Sequence, residues 1–262
     1  MNIIVLVKIV PNFNTSIYYN KLTIDRQKTE LTYNPDDVSA LVFAKYLKKK
    51  HNGTITAISM APKSHYGLIR KLYAYGVDKI IHVTDDKFSG SDTYATSYIL
   101  SKVIKLIKNI DIIITGTRSM DGETEQVPAS LAEWLKYPHI CYLATEPLIN
   151  NNKIYYSIKI NNKQYSLYNN LPVILSVNNS LFNNKDMFMS IKDILQKKNS
   201  PIITCSAKNL NIEKEFNHNF SKTKVVGSCN VPTKTTNRKK LHIKNSTIIF
   251  GVIDKNNEAN EK

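Results

Sequence analysis

The sequence has few residues of the kinds that form disulfides or hold metal ions. Its 262 residues include three cysteines and six histidines. The cysteines, Cys141, Cys205 and Cys229, are isolated from one another and lack the paired spacing that zinc sites and redox motifs use. The histidines are likewise scattered along the chain. We therefore expect ordinary thiols and no metal site.

Long hydrophobic runs are missing as well. The longest apolar runs, such as residues 3–7 and 112–114, are far shorter than the roughly 20 residues that a membrane-spanning helix needs. The N-terminus begins directly with a strand-like stretch, without the basic region, apolar stretch and cleavage site of a signal peptide. The sequence thus predicts no membrane insertion and a cytoplasmic protein.

Positive charge is in excess, with 36 lysines and arginines, 21 aspartates and glutamates and a formal charge of +15. A basic surface attracts nucleic acid, anionic lipid and acidic proteins alike, so the charge does not select a partner. Lysines are mixed with asparagines and isoleucines throughout, which favours compositional drift over a dedicated polyanion site. No nucleic-acid-binding motif accompanies the charge, so no nucleic acid partner is expected. A basic nucleic-acid-binding protein is kept as the least favoured alternative function.

The first 145 residues alternate short β-branched runs with longer amphipathic segments. This alternation is typical of parallel strands that are connected by helices and covered on both faces. Strands are predicted at residues 3–10, 54–60, 79–83 and 111–115, and helices at residues 36–49, 66–75 and 93–108. Asp92 or Ser91 is predicted to cap the third helix. Sheets of this kind bind ligands at the carboxyl ends of their strands.

The pattern changes after Cys141. Residues 153–160 and 163–168 flank an Asn-Asn pair and predict a β-hairpin, and residues 172–177 predict one more buried strand. Periodicity is then sparse apart from a short helix near residues 190–197. We therefore predict an α/β domain over residues 1–190 and a C-terminal arm over residues 191–262, which orders on another surface and has a disordered tail from about residue 256.

The loop over residues 116–127 has the parts of a phosphate cradle. Gly116 permits close backbone approach at the end of a strand, and Gly122 permits a tight turn. Thr124 is predicted to cap the following helix, over residues 128–135, whose first amides would face an anion. Such a loop more often simply turns a corner, so its meaning depends on the rest of the chain.

Six segments in the same order, over roughly residues 3–135, resemble motifs of the electron transfer flavoprotein beta family. One match of this kind is weak, but six in order are specific. The segments are Val7-Lys8 with Val10-Pro11, Asn34-Pro35-Asp36-Asp37, residues 58–62, residues 72–74 with 76–78, residues 90–97 and residues 116–127.

The resemblance implies a Rossmann-like parallel sheet of the adenine nucleotide alpha hydrolase-like type, with an arm that wraps an alpha subunit. It implies a heterodimer that passes electrons from a dehydrogenase to an acceptor. The beta subunit holds AMP in most respiratory members, and a second FAD in the FixA-like, electron-bifurcating branch. The threonine-rich segment at residues 90–97 favours FAD, with AMP as the alternative.

The resemblance also implies a set of cofactor-binding residues and no catalytic residue. They are Leu6, Lys8, Asn34, Asp37, Met60, Asp92, Thr93, Thr96, Gly116, Arg118, Asp121, Gly122, Thr124, Gln126 and Val127. Leu181 is expected to contact a partner. The chain departs from the family where Arg118 takes the place of a glutamine and Pro128 that of a glycine. An ATP-using relative of the same fold is disfavoured, because no Ser-Gly-Gly loop follows the first strand.

Overall fold

The computed structural model describes residues 1–20, 23–178, 191–197, 199–213 and 220–223. The strands are β1 (Asn2–Leu6), β2 (Ile9–Pro11), β3 (Tyr19–Asn20), β4 (Thr23–Ile24), β5 (Leu31–Tyr33), β6 (Thr54–Met60), β7 (Lys79–Val83), β8 (Ile112–Gly116), β9 (His139–Ile140), β10 (Leu148–Asn150), β11 (Lys153–Ile160), β12 (Lys163–Asn170), β13 (Val173–Val177) and β14 (Ile202–Cys205). The α-helices are α1 (Pro35–His51), α2 (Tyr66–Lys71), α3 (Thr93–Lys105), α4 (Gln126–Leu135) and α5 (Ile191–Gln196), with 3₁₀ turns at Lys63–His65, Leu72–Tyr75 and Asp86–Phe88.

A seven-stranded sheet forms the centre of the fold, in the order β14-β7-β6-β1-β8-β13-β9. All neighbouring strands in it are parallel. The inner strands are rich in isoleucine and valine and are buried on both faces, as parallel sheets require. The predicted α/β class with a large parallel sheet is therefore confirmed.

Alternate residues of each strand supply two separate cores. Ile3 and Val5 belong to the core under α1, whereas Ile4 and Leu6 belong to the core under α3 and α4. This is the period of two that a strand imposes on its side chains. The two cores cover opposite faces of the sheet with helices.

The chain changes faces at the centre of the sheet. It runs from β1 through α1 to β6 on one face, and from β7 through α3 to β8 on the other. Strands β1 and β8 are neighbours, so the loops that leave their carboxyl ends diverge to opposite faces. Ligands of open α/β sheets bind at such a switch point.

The predicted hairpin is present as β11 and β12, to which β10 adds a third antiparallel strand. Its turn residues Asn161 and Asn162 both have positive φ angles, 46° and 62°. Asparagine tolerates this left-handed backbone, which two-residue hairpin turns need.

Among the strands and helices before and after the site loop, the structure departs from the sequence prediction in three places. The predicted strand over residues 3–10 divides into β1 and β2, because the amide of Lys8 turns away to the carboxylate of Asp37. The predicted helix over residues 66–75 continues from α2 into a 3₁₀ turn. The third departure is β14, which pairs with β7 at the sheet edge and comes from the segment assigned to the arm.

Leu181 and the tail from residue 256 lie outside the described residues, as do most residues of the predicted arm. The described helices include none with the length and apolar character needed to cross a membrane.

Candidate functional site

Predicted contact residues come together at the carboxyl edge of the sheet. Leu6 ends β1, Met60 ends β6 and Gly116 ends β8, three strands that are adjacent in the sheet. Leu6 and Met60 both pack with the core under α3 and α4. At this edge Leu6 is buried and Met60 is partly buried, on strands next to the one that leads into the loop after Gly116.

Asn34 holds this loop against the start of α1. Its side-chain Nδ2 donates to the carbonyl of Arg118 at 2.7 Å, and its Oδ1 accepts from the amide of Met120 at 3.1 Å. Asn34 is 1% exposed. Its side-chain amide is therefore engaged with the loop.

Asp37 joins the same helix to two strand ends. One carboxylate oxygen accepts from the amide of Lys8 at 2.8 Å, and the other accepts from the amide of Gly116 at 3.0 Å. A side chain at Gly116 would collide with Asp37 and with the Cβ of Asp36, so glycine is required for this close approach. Burial raises the pKa of Asp37 to about 7, against the opposing effect of these hydrogen bonds.

Asp121 is the centre of a charged cluster on the other side of the loop. Lys8 Nζ lies 2.5 Å from one of its carboxylate oxygens, and Arg26 lies 3.3 Å from the other. Burial alone would raise the pKa of Asp121, but the hydrogen bond and charge of Lys8, with contributions from Ser119 and Arg26, lower it overall. The cluster has a net charge of +1 at neutral pH, with Lys8 and Arg26 partly exposed.

The loop ends in a helix without a side-chain cap. The residue before α4 is Glu125, whose φ is 57°, and no side chain caps the helix within the described chain. Thr124 therefore does not cap it, and the helix begins at Gln126 rather than at Pro128. Pro128 occupies the first turn and has no N–H, so the amides of Gln126 and Val127 are the ones left to a ligand or solvent.

The backbone of this loop is strained. Glu123 and Glu125 have left-handed φ angles of 48° and 57°. Such a conformation costs a residue with a side chain about 1–2 kcal/mol. Strain of this kind gathers at binding sites, where the surrounding structure holds it in place.

The first turn of α3 lies beside the first turn of α4. The Thr93 hydroxyl donates to Oε1 of Gln126 at 2.9 Å. Asp92 caps α3, as predicted, by accepting from the amide of Ala95 at 2.9 Å. Thr96 lies in the same first turn and is half-buried.

Arg118 is directed away from these contacts. Its guanidinium is 3.9 Å from the carboxylate of Glu123, and both side chains are more than half exposed. A pair this open to solvent is weak. The guanidinium is therefore accessible to a ligand, as is the backbone at Gly122, which is exposed.

A small cavity of about 190 Å³ adjoins the loop on the side of α4. Its floor includes His139, whose Nε2 lies 2.8 Å from the Ser176 hydroxyl. Burial lowers the pKa of His139, which favours the neutral ring. The full lining is Thr117, Glu125, Ala129, His139, Cys141, Tyr142 and Ser176.

Several groups at this edge of the sheet were not predictable from the sequence. Arg26 reaches Asp121 from a loop 95 residues earlier in the chain, and no local spacing signals that contact. Ser119 lies within the recognised loop, but its contact with Lys8 depends on the fold. The polar cavity floor at His139 and Ser176 likewise comes from two strands that pair only in the sheet.

Comparisons with known proteins identify the family of the chain. The family described as "Electron transfer flavoprotein domain" matches residues 21–210. The chain is 34% identical to electron transfer flavoprotein subunit beta of Thermoanaerobacterium thermosaccharolyticum over 233 residues, and this aligned region covers 87% of each protein. It is 30% identical over 237 residues to caffeyl-CoA reductase-Etf complex subunit CarD of Acetobacterium woodii, which covers 89% of each. Over 125 residues it is 42% identical to protein FixA of Azotobacter vinelandii, covering 47% of this chain and 44% of that protein. The chain therefore belongs to the electron transfer flavoprotein beta-subunit family.

Proposed function

We propose that this chain binds an adenine nucleotide, FAD or AMP, at the carboxyl edge of its sheet and works in electron transfer as a heterodimer with an alpha subunit. The observation that carries the proposal is the loop between β8 and α4. It is anchored from behind by Asn34 and Asp37, strained at Glu123 and Glu125, and ends in uncapped helix amides.

The residues of this loop suit a phosphate or pyrophosphate group. The amides of Gln126 and Val127 at a helix N-terminus favour an anion. Arg118 has an accessible guanidinium, which binds phosphate in bidentate fashion. Because Gly122 has no side chain, a phosphate group could approach the backbone closely at this position. These groups would hold the phosphates, and Leu6 and Met60 would pack against the adenosine.

We favour FAD over AMP in this subunit. The Thr93 hydroxyl and Gln126 already form one polar surface, and Thr96 lies in the same helical turn. These side chains would bind the part of FAD that AMP lacks. With AMP instead, the chain would be a structural beta subunit of a carrier with one FAD.

The chemistry that a flavin supplies when bound is the exchange of electrons with a dehydrogenase donor and an acceptor. The residues of this chain bind and orient the nucleotide, and their hydrogen bonds and charges tune its potential. A second FAD in this subunit would permit flavin-based bifurcation. No residue here is assigned the role of nucleophile or general base.

The test is to co-express the chain with its alpha subunit and to count the nucleotides released from the heterodimer by acid. Two FAD per heterodimer is the expected result. One FAD and one AMP per heterodimer would show that this subunit binds AMP and not FAD. A heterodimer that contains neither AMP nor a second FAD would overturn the proposal.

A matched pair of variants assigns the nucleotide to this edge. Gly122→Asp places a carboxylate beside the predicted phosphate position, where a new side chain would meet only Ser119 at 3.5 Å. We expect nucleotide affinity to fall about tenfold or more, because like charges repel. Gly67→Asp is the control, since its new side chain would enter open space on α2. Equal affinities in the two variants would place the nucleotide elsewhere.

A further inference from the structure

A short segment of the C-terminal region, residues 220–223, lies across the start of α3. We call this segment the strap. The second carboxylate oxygen of Asp92 accepts from the amide of Thr223 at 2.8 Å and from its hydroxyl at 3.1 Å. The amide of Asp92 in turn donates to the Ser221 hydroxyl at 3.2 Å. Asp92 thus divides its two oxygens between the first turn of α3 and the strap.

Aromatic rings hold the other end of the strap. The Phe220 ring lies 4.9 Å from that of Tyr98 and 5.7 Å from that of Tyr94. Both tyrosines contact Trp134 of α4, with ring centroids 5.1 and 5.5 Å away. Lys222 Nζ lies 5.2 Å from the centre of the Tyr94 ring. The strap therefore packs on the pair formed by α3 and α4.

The same two helices begin at the candidate nucleotide site. Thr93 follows Asp92 directly and is hydrogen-bonded to Gln126, the first residue of α4. Farther along the helices, the Trp134 indole donates to the Ser97 hydroxyl at 3.2 Å. The first turn of α3 therefore contacts the strap through Asp92 and the candidate nucleotide site through Thr93.

We propose that Asp92 is a positioning residue that couples docking of the strap to nucleotide binding. With the strap docked, Asp92 is held in place and presents Thr93 to Gln126 in the arrangement that the site requires. This inference rests on the proposed function, because it needs a nucleotide at the starts of α3 and α4. By linkage, the nucleotide tightens the docking of the strap by the same factor as the docked strap tightens the nucleotide.

The substitution Asp92→Asn separates the two uses of the carboxylate. Asparagine caps a helix about as well as aspartate, so the bond to Ala95 is retained. Its second terminal atom is an NH₂ group, which cannot accept from Thr223. Phe220→Ala releases the strap from its other end and leaves Asp92 unchanged. Both variants are expected to weaken the coupling.

The experiment measures the strap and the nucleotide separately in the nucleotide-stripped heterodimer. Trypsin cleavage after Lys222 reports undocking of the strap, and titration with AMP and with FAD gives the affinities. In the wild type, saturating nucleotide should slow this cleavage about fivefold or more. In Asp92→Asn and in Phe220→Ala, nucleotide should no longer slow the cleavage after Lys222. The affinity of these variants for the nucleotide should be lower than that of the wild type by the factor by which nucleotide slows cleavage in the wild type. Fluorescence of Trp134, the one tryptophan of the sequence, checks that the aromatic cluster remains folded.

Asp85→Asn is the matched control. Asp85 also caps a helical turn with one oxygen, accepting from Lys87, and holds a later segment with the other, accepting from Ala207. Its substitution should leave both the protection and the affinity unchanged. If the nucleotide binds the wild type without slowing cleavage, or if both variants bind it as tightly as the wild type, the coupling is wrong and the proposed function stands. If neither AMP nor FAD binds the wild type, the proposed function fails and the coupling with it.

Discussion

Helices α1 and α4 begin at the same edge of the sheet, but their first turns are used in opposite ways. The start of α1 is filled by the chain itself, through Asn34 and the buried carboxylate of Asp37. The start of α4 has no side-chain cap and is preceded by the left-handed Glu125. The start of α1 holds the neighbouring loops in place, whereas the start of α4 leaves its first backbone amides without a side-chain acceptor. The difference places a buried, hydrogen-bonded anchor beside a loop that is strained and has no cap.

Removing the anchor should have the largest effect. Asp37→Ala leaves the buried amides of Lys8 and Gly116 without an acceptor, which costs about 1–3 kcal/mol each. We expect the free energy of unfolding to fall by about 2–6 kcal/mol, measured by urea denaturation. Asp25→Ala is the control, because Asp25 also accepts from two amides but in an exposed turn. It should cost less than about 1 kcal/mol, and equal losses would contradict the anchoring role.

The pH dependence of stability should also reveal the anchor. The pKa of Asp37 in the folded chain is about 7, above the value of about 3.9 for an unfolded aspartate. Between these values the folded chain binds a proton that the unfolded chain does not. Relative to Asp37→Asn, the wild type should therefore lose stability as the pH rises from about 4 to about 7, by at most about 1.4 kcal/mol per pH unit. Denaturation curves at several pH values test this, and a constant difference between the two proteins would contradict it.

The open helix start predicts the reverse behaviour, a gain in stability on substitution. Glu125→Gly removes the left-handed strain and should raise the free energy of unfolding by roughly 0.5–1 kcal/mol, after the entropy that glycine adds to the unfolded chain. Glu146→Gly is the control, since Glu146 is exposed and is not among the residues with positive φ. The Glu146→Gly substitution should not raise the free energy of unfolding. A loss of stability in Glu125→Gly would show that the loop is not strained.

The smallest effect on stability is expected at Arg118. Its pair with Glu123 is exposed, so Arg118→Met should change the free energy of unfolding by less than about 0.5 kcal/mol. Nucleotide affinity should nevertheless fall about tenfold, since a hydrogen bond to a charged group contributes about 1.5–3 kcal/mol. Lys136→Met is the control, because Lys136 forms an exposed pair with Glu133 at the far end of α4. Equal nucleotide affinities in the two variants would show that Arg118 does not contact the nucleotide.

Much of the fold was predictable because its signals are local. The strands β6 and β7 have the predicted bounds, and Asp92 caps α3 as expected. Strand β14 was missed, since it has only four residues, lies in a polar stretch and is ordered by pairing with β7 at the sheet edge. Thr124 was wrong as a cap because the residue before α4 is Glu125, in a left-handed conformation, and the helix begins at Gln126.

For the candidate site, the residue types were predictable but the contacts that they make within the chain were not. Asn34 and Asp37 were expected to contact a cofactor, and in the structure their side chains join α1 to loops about 80 residues away. The contacts of Arg26 and Thr223 had no signal in the sequence, because each residue meets its partner only across the fold. Contact with the nucleotide stays a prediction for all of the proposed binding residues.

The sequence by itself determined the alternation of the main strands and helices in the first half of the chain, the two-faced burial of the sheet and the family, because periodicity, turn residues and motifs are properties of neighbouring positions. The tertiary structure decided which polar groups meet at the edge of the sheet. The hydrogen bonds that Asp37 accepts from the amide of Gly116 and Asp92 accepts from the amide of Thr223 join residues 79 and 131 positions apart. Only the packing of the helices on the sheet brings such residues within hydrogen-bonding distance, and the functions of these carboxylates follow from that packing.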